Sequence, residues 1–98
     1  MPRKLRPIHP GEVLKSVLED AGLSAHQTAL ALRVPANRLT AIINGKRALT
    51  ADTAMRLGRF FGTSAEMWIN LQAKFDLQRA EDSLSAKVAE EVRPFRAA

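Results

Sequence analysis

Apolar residues recur along this chain with the spacing of helices, in short blocks separated by glycine, proline and small polar residues. Between residues 9 and 79 the pattern predicts five helices, and it shows almost none of the strict alternation typical of a strand. The first helix begins at His9-Pro10-Gly11 and ends in a left-handed cap at Gly22. Its apolar stripe consists of Val13, Leu14, Val17, Leu18 and Ala21. The sequence therefore predicts a compact all-α fold.

The second and third helices are the shortest of the series. Ser24 is the predicted N-cap of the second helix, which runs to about Leu32. Val34 and Pro35 restart the chain, and Asn44-Gly45 ends the third helix in a glycine cap. These two helices and the tight turn between them form a helix-turn-helix at about residues 24–44.

The fourth and fifth helices complete the predicted domain. Thr50 is the N-cap of the fourth, which Gly62 closes. The residues expected to face inward from it are Ala54, Leu57, Phe60 and Phe61. A capping box of Thr63 and Glu66 is expected to open the fifth and longest helix, at about residues 64–78.

The third helix divides into an apolar back and a polar front. Leu39 and Ile42 fall on one side of a helical wheel, and the residues opposite are Asn37, Thr40, Ala41 and Asn44. Between residues 22 and 51 the chain has four basic side chains and no acidic one. A face of amides, hydroxyls and small residues suits base edges in a major groove. The alternative is an ordinary solvated helix face.

Candidate DNA contacts divide into base-reading and phosphate-binding residues. Asn37 can pair bidentately with adenine, Thr40 can contact a base edge or a thymine methyl group, and Arg38 can reach guanine or phosphate. Ala36 and Ala41 can pack on methyl groups. The phosphate candidates lie at the start of the second helix and after the third: Ser24, Ala25, Gln27, Asn44, Lys46 and Arg47.

Composition and charge restrict the chemistry. The 98 residues suffice for one small domain, with a hydrophobic fraction of 46% and a net charge of +5. Residues 1–61 hold ten basic and four acidic side chains, so the first part is the expected face for a polyanion. Two isolated histidines, His9 and His26, and no cysteine argue against a metal site. No cofactor loop, catalytic constellation, signal core or membrane span is recognisable, so we expect a cytoplasmic protein that is not an enzyme and has no cofactor.

The predicted fifth helix is apolar on more than one side. Trp68, Leu71 and Phe75 form one stripe at i, i+3 and i+7, while Met67 and Ile69 point elsewhere. One stripe is expected to complete the core and the remainder to meet a second copy, because palindromic DNA sites are bound by two-fold dimers. The predicted dimer interface consists of Met67, Trp68, Ile69, Leu71 and Phe75. The alternative is that all of them are buried in one domain. Residues 1–8 form a basic arm, 9–79 the DNA-binding domain, and 80–98 a short charged extension that is either a frayed solvated helix or a docking element.

Several motifs together resemble a HigA-type antitoxin of the lambda-repressor-like (XRE) helix-turn-helix family. The matching segments are His9-Pro10-Gly11-Glu12, Leu39, Asn44-Gly45-Lys46-Arg47, Leu49-Thr50-Ala51-Asp52-Thr53-Ala54, Phe61-Gly62-Thr63-Ser64, Trp68-Ile69-Asn70-Leu71-Gln72 and Val92-Arg93-Pro94. The resemblance covers most of the chain. HPGE followed by GT and W-x-N-L-Q is much more specific than a helix-turn-helix alone.

The resemblance implies a dimer that represses its own operon and neutralises a HigB/RelE-like ribonuclease toxin. Two residues depart from the family pattern: Arg33 replaces a glycine in the turn, and Thr28 replaces a leucine. A positive φ at Arg33 costs roughly 1 kcal/mol, which a phosphate contact by this side chain can offset. The toxin-docking surface stays open among residues 1–8, the first helix and the tail after Asp76. Two other interpretations also stay open: a stand-alone XRE regulator, and a helical protein-interaction module.

Overall fold

The computed structural model describes residues 6–96. Its five helices are α1 (Pro10–Ala21), α2 (Ala25–Leu32), α3 (Ala36–Ile43), α4 (Ala51–Phe61) and α5 (Ala65–Glu91). The described part of the chain contains no strand, which confirms the predicted all-α five-helix fold. The first five residues of the predicted basic arm and the last two of the predicted extension lie outside the described residues.

Most of the predicted caps are present. The Ser24 hydroxyl accepts a hydrogen bond from the Gln27 amide at 3.0 Å, and the Gln27 side chain accepts one from the Ser24 amide at 2.9 Å. Thr50 is the N-cap of α4, and Gly22 and Gly62 adopt the left-handed conformation after α1 and α4. Local sequence signals therefore set these helix limits.

The cap of α5 differs from the predicted one. Ser64, rather than Thr63, accepts the Met67 amide at 3.0 Å. The Thr63 hydroxyl instead accepts a hydrogen bond from the Trp68 indole at 3.0 Å. The prediction of a Thr63–Glu66 capping box was wrong by one residue, because a buried indole N–H needs an acceptor that the sequence pattern alone does not specify.

One hydrophobic core joins all five helices. Its fully or nearly buried members are Leu14, Leu18, Ala29, Leu32, Val34, Leu39, Ile42, Leu49, Ala54, Leu57 and Trp68. Phe61 packs against this core, but Phe60 is exposed, contrary to the predicted inward orientation. Within this core α2 packs against α3 and α4, while α5 packs against α4 and α1.

The predicted boundary between the domain and a C-terminal extension does not coincide with the end of a helix. The helix α5 continues without a break to Glu91, well beyond the predicted end near Gln78. Residues 80–91 therefore belong to the same helix as the core residue Trp68, and all residues from 81 to 96 are exposed.

The first turn of α1 is closed by two reciprocal hydrogen bonds. Nδ1 of His9 accepts from the Gly11 amide at 2.9 Å, and the Glu12 carboxylate accepts from the His9 amide at 3.1 Å. Arg6 donates to both Glu12 oxygens at 2.7 and 2.9 Å. Mainly because of this pair, the pKa of Glu12 falls to about 2, so the carboxylate keeps its charge in all but strong acid.

Candidate nucleic-acid interface

The last turn of α3 packs directly against the first turn of α1. A Cβ added to Gly11 would lie 1.8 Å from the Ile42 carbonyl oxygen and 2.9 Å from the Ile43 Cα. Only a glycine allows this approach of the two backbones. Gly11 thus sets the position of the predicted recognition helix.

The two faces of α3 are those expected from its sequence. Leu39 and Ile42 are both fully buried. Asn37 and Thr40 are exposed, and Ala36 and Ala41 are partly buried beside them. The Thr40 hydroxyl donates to the Ala36 carbonyl at 2.7 Å, which leaves its oxygen as an acceptor for an outside donor. The side chains of Asn37 and Thr40 are therefore both accessible to a base edge.

Arg38 is held by a residue that the sequence analysis did not single out. Its Nη1 donates to Oδ2 of Asp52 at 2.9 Å, and only 25% of the side chain is exposed. Its Nε atom is buried without a hydrogen-bond partner. Arg38 is therefore less free to reach DNA than its position on the helical wheel indicates.

Asp52, on α4, is bonded directly to α3 through Arg38 and is linked to α2 through Arg56. Oδ1 of Asp52 accepts from Nε of Arg56 at 3.0 Å, and Nη1 of Arg56 donates to the Leu32 carbonyl at the end of α2, at 2.9 Å. The hydrogen bond from Arg56, and secondarily that from Arg38, lowers the pKa of Asp52. The i, i+4 spacing of Asp52 and Arg56 was a usable sequence signal, but the link to Arg38 depends on tertiary structure.

At the start of α2, fewer of the predicted groups are available to a phosphate than the sequence indicated. The amides and side-chain oxygens of Ser24 and Gln27 are hydrogen-bonded to each other in the capping box. The first-turn amides of Ala25 and His26 have no intrahelical acceptor and remain as donors to an anion. The backbone at Ala25, rather than the side chains of Ser24 and Gln27, is then the better phosphate candidate.

The predicted phosphate residues after α3 lie in an ordered loop. Asn44, Lys46 and Arg47 are exposed. The loop is fixed at its end, where the buried Leu49 amide donates to Oε1 of Gln72 from α5 at 2.8 Å. This places two cations and an amide close to the end of the candidate recognition helix.

Both departures from the family pattern have structural consequences. Arg33 has φ 62° and ψ 42°, the left-handed conformation in which a glycine is usual. Thr28 is fully buried, and its hydroxyl donates to the Ser24 carbonyl one turn earlier at 2.9 Å. The hydroxyl is thus satisfied, whereas the backbone at Arg33 is strained.

We expect Arg33→Gly to change stability and DNA affinity in opposite directions. Removing the Cβ relieves left-handed strain and should raise the free energy of unfolding by up to about 1 kcal/mol. Losing an exposed cation beside the candidate interface should weaken binding to any duplex and reduce the salt slope by about one unit. Denaturant unfolding and DNA titrations at several salt concentrations measure the two effects. Arg33→Ala is the control, since it removes the cation and keeps the strain.

The predicted dimer residues are unequally exposed. Trp68 is only 1% exposed, so its side chain belongs to the core and is removed from the candidate dimer surface. Phe75 is partly buried and packs edge-on against the His9 ring, with the two ring centroids 4.8 Å apart. Ile69 and Leu71 are half-buried against the core, and Met67 is the most open of the set. The sequence placed Trp68, Leu71 and Phe75 on one stripe and Met67 and Ile69 on another part of the helix. The structure buries Trp68, exposes Met67 and leaves the other three partly buried.

Residues 6–96 contain no group of three or more histidine, cysteine, aspartate or glutamate side chains arranged to hold a metal ion. None of the helices in this part of the chain combines the length and apolar character needed to cross a membrane.

Three features together define a helix-turn-helix DNA-binding protein: the close packing of α3 on Gly11, the polar exposed face of α3, and the cationic loop that follows it. The Helix-turn-helix family model matches residues 14–68. The chain belongs to this XRE-type family, and its resemblance to HigA-type antitoxins is confirmed by relatives and solved structures.

Matches to three similar proteins cover 76% to 93% of this chain. Virulence-associated protein I of Dichelobacter nodosus is 49% identical over 75 residues, which are 76% of this chain and 69% of that protein. A HigA-family addiction module antidote protein from Coxiella burnetii is 48% identical with a TM-score of 0.87, covering 93% of this chain and 100% of that one. The Pseudomonas aeruginosa antitoxin HigA, solved with the higBA promoter, is 39% identical with a TM-score of 0.88 and the same coverages.

Proposed function

We propose that this chain is the antitoxin of a type II toxin–antitoxin pair, which binds its own operator as a dimer and neutralises a HigB/RelE-like ribonuclease toxin. The observation that carries the DNA-binding part is the exposed face of α3, where Asn37 and Thr40 lie next to a loop carrying Lys46 and Arg47. The similarity to an antitoxin solved with promoter DNA supports the biological setting. The protein then acts in the cytoplasm by binding alone, without catalysis or a cofactor.

Operator binding is tested by titrating the DNA upstream of the coding region against a scrambled duplex at two salt concentrations. The proposal expects preference for the upstream DNA at physiological salt, with two protomers per site. Equal and strongly salt-dependent binding to both duplexes would leave only a general basic surface and count against a repressor.

The toxin partnership needs a separate test. If a neighbouring gene encodes a short basic RelE-like protein, co-expression should restore growth and the two chains should co-purify. Growth arrest despite a folded antitoxin would contradict neutralisation. In the absence of such a neighbour, specific operator binding would favour a stand-alone XRE regulator.

Asn37→Ala and Lys46→Ala should separate base reading from phosphate binding. Loss of the Asn37 amide removes a bidentate contact worth roughly 1–3 kcal/mol of discrimination, so operator affinity should fall towards that for scrambled DNA. Lys46→Ala should weaken binding to both duplexes nearly equally. It should also reduce the slope of log affinity against log salt concentration by about one unit. Competition titrations on the two duplexes provide the comparison. An equal loss on both for Asn37→Ala would remove this residue from the base-reading set.

A further inference from the structure

A polar cleft lies between the loop that follows α3 and the middle of α5. Residues 45–48 form its loop side, and His9, the N-cap of α1, also lines it. The volume of the cleft is about 200 Å³. Because one water molecule takes about 30 Å³ in the liquid, the cleft has room for a small polar ligand.

His9 presents a hydrogen-bond donor to this cleft. Its side chain is only 8% exposed, and its Nδ1 atom accepts from the Gly11 amide at 2.9 Å. A neutral imidazole whose Nδ1 is an acceptor has its proton on Nε2. This Nε2–H has no acceptor within residues 6–96, and it still touches solvent, because Arg38 Nε is the side-chain atom there that is both sealed and unpaired. The Gly11 hydrogen bond and the edge contact with Phe75 fix the ring, so the donor is held in place for a ligand.

Three cations line the same cleft. Lys46 and Arg47 lie in the loop, and Arg79 lies on α5. None of them forms an ion pair within the described part of the chain. One carboxylate also lines the cleft, that of Asp76, and its Oδ1 atom accepts from the Gln72 side-chain amide at 2.9 Å. Positive charges therefore outnumber negative ones, and the cleft favours an anion.

The set of donors suits a phosphate group better than a carboxylate. A phosphate offers three acceptor oxygens and up to two negative charges, whereas a carboxylate offers two oxygens and one charge. Arginine and lysine side chains are the usual partners of phosphate. The guanidinium of Arg79 lies 5.4 Å from the centre of the Phe75 ring, the same ring that contacts His9, so these two donors share one support.

We propose that this cleft binds a phosphate group through the Nε2–H of His9 and the side chains of Lys46, Arg47 and Arg79. The proposal goes beyond the repressor function, because a phosphate carries no base sequence and Asn37 takes no part in holding it. The phosphate belongs either to a small phosphorylated molecule or to the DNA backbone. A small molecule bound there would occupy Lys46 and Arg47, and it would thereby compete with DNA for both cations.

Inorganic phosphate is the probe for the free protein. The chain has two histidines, so the imidazole signals of His9 in nitrogen–proton NMR spectra are identified by their loss in His9→Asn. Phosphate added at constant pH, with sodium chloride adjusted to constant ionic strength, should shift Nε2 of His9 and the amides of residues 45–48. All these shifts should follow one saturable curve.

Two variants remove individual donors. Asparagine is a good N-cap, so His9→Asn keeps an acceptor for the Gly11 amide and removes the imidazole N–H. It should weaken phosphate binding about tenfold or more, the range for a hydrogen bond to a charged group. Arg79→Gln should weaken it about two- to fivefold, because Arg79 is exposed. The exposed position of Arg79 also keeps the test available if His9→Asn does not fold. Lys74→Gln is the matched control, since Lys74 is an exposed α5 cation that does not line the cleft.

Duplex titrations distinguish the two sources of phosphate. If a small molecule is the ligand, His9→Asn and Arg79→Gln should bind both duplexes normally. Phosphate should then weaken duplex binding by the original chain more than chloride does at equal ionic strength. If the DNA backbone is the ligand, both variants should weaken binding to operator and scrambled duplexes alike, and Lys74→Gln should not.

The proposal is overturned if His9→Asn and Arg79→Gln change neither the phosphate titration nor the affinity for either duplex. The repressor proposal is decided separately, by the preference of the original chain for operator over scrambled DNA. A chain with no such preference would still bind phosphate in the cleft, and a chain with full preference would still fail the His9→Asn comparison if the cleft binds nothing.

Discussion

Gly11→Ala will destabilise the protein by about 3 kcal/mol or more, the upper range for overpacking a well-packed site. The added methyl group would lie 1.8 Å from the Ile42 carbonyl oxygen, and this neighbour is helix backbone that cannot move aside as a side chain can. To accept the methyl group, α1 and α3 must separate. We therefore expect the variant that remains folded to lose operator binding as well, because the recognition helix is displaced.

Gly22→Ala is the matched control for this change. Gly22 also has a special role, with φ 70° at the end of α1, but a Cβ there would meet no atom within 4 Å. Its expected loss is about 1 kcal/mol, from left-handed strain alone, with operator affinity unchanged for the folded protein. Denaturant unfolding at one fixed protomer concentration gives both values. A Gly11→Ala variant no less stable than Gly22→Ala would show that the two helices adjust without cost.

Trp68→Ala will cost about 3–5 kcal/mol of folding free energy, the range for removing a large buried aromatic side chain. Trp68 is 1% exposed, and its indole donates to the Thr63 hydroxyl just before α5. The substitution removes both the core volume and this hydrogen bond. Circular dichroism must monitor the unfolding, because the chain has a single tryptophan.

Two further variants assign the contributions at Trp68. Trp68→Phe keeps most of the apolar volume and should lose about 1–2 kcal/mol, part of it from the hydrogen bond. Met67→Ala, on the exposed neighbour, should leave monomer stability within about 1 kcal/mol. If Trp68→Ala instead weakened dimerisation while leaving the unfolding of the monomer unchanged, Trp68 would be an interface residue and its placement in the core would be wrong.

The helices of the DNA-binding domain could be predicted from the sequence because the residues that begin and end them act on neighbouring backbone groups. Ser24, Thr50 and the three glycines that end α1, α3 and α4 act on backbone groups a few residues away. The buried back of α3 followed from its helical period in the same way. Asn37 and Thr40 accordingly lie on the exposed face that the sequence indicated.

The features that escaped prediction depend on distant parts of the chain. The restraint of Arg38 by Asp52 spans 14 residues, and no spacing rule links them. Gly11 was recognised as part of a helix start, but its contact with Ile42 arises only when α1 and α3 pack. The length of α5 was underestimated because its second half is rich in charge, although no proline or glycine interrupts it before Pro94.

The hydrogen bond from Leu49 to Gln72 makes one backbone amide a reporter for the docking of α5. The amide is buried at the end of the loop that carries Lys46 and Arg47, yet its acceptor belongs to another helix, 23 residues further along the chain. Its exchange with solvent deuterium should therefore follow the opening of α5 from the domain, rather than the movement of the loop itself. Slow exchange at Leu49 beside fast exchange at Lys46 would show that the end of the loop proposed to face DNA is held by α5.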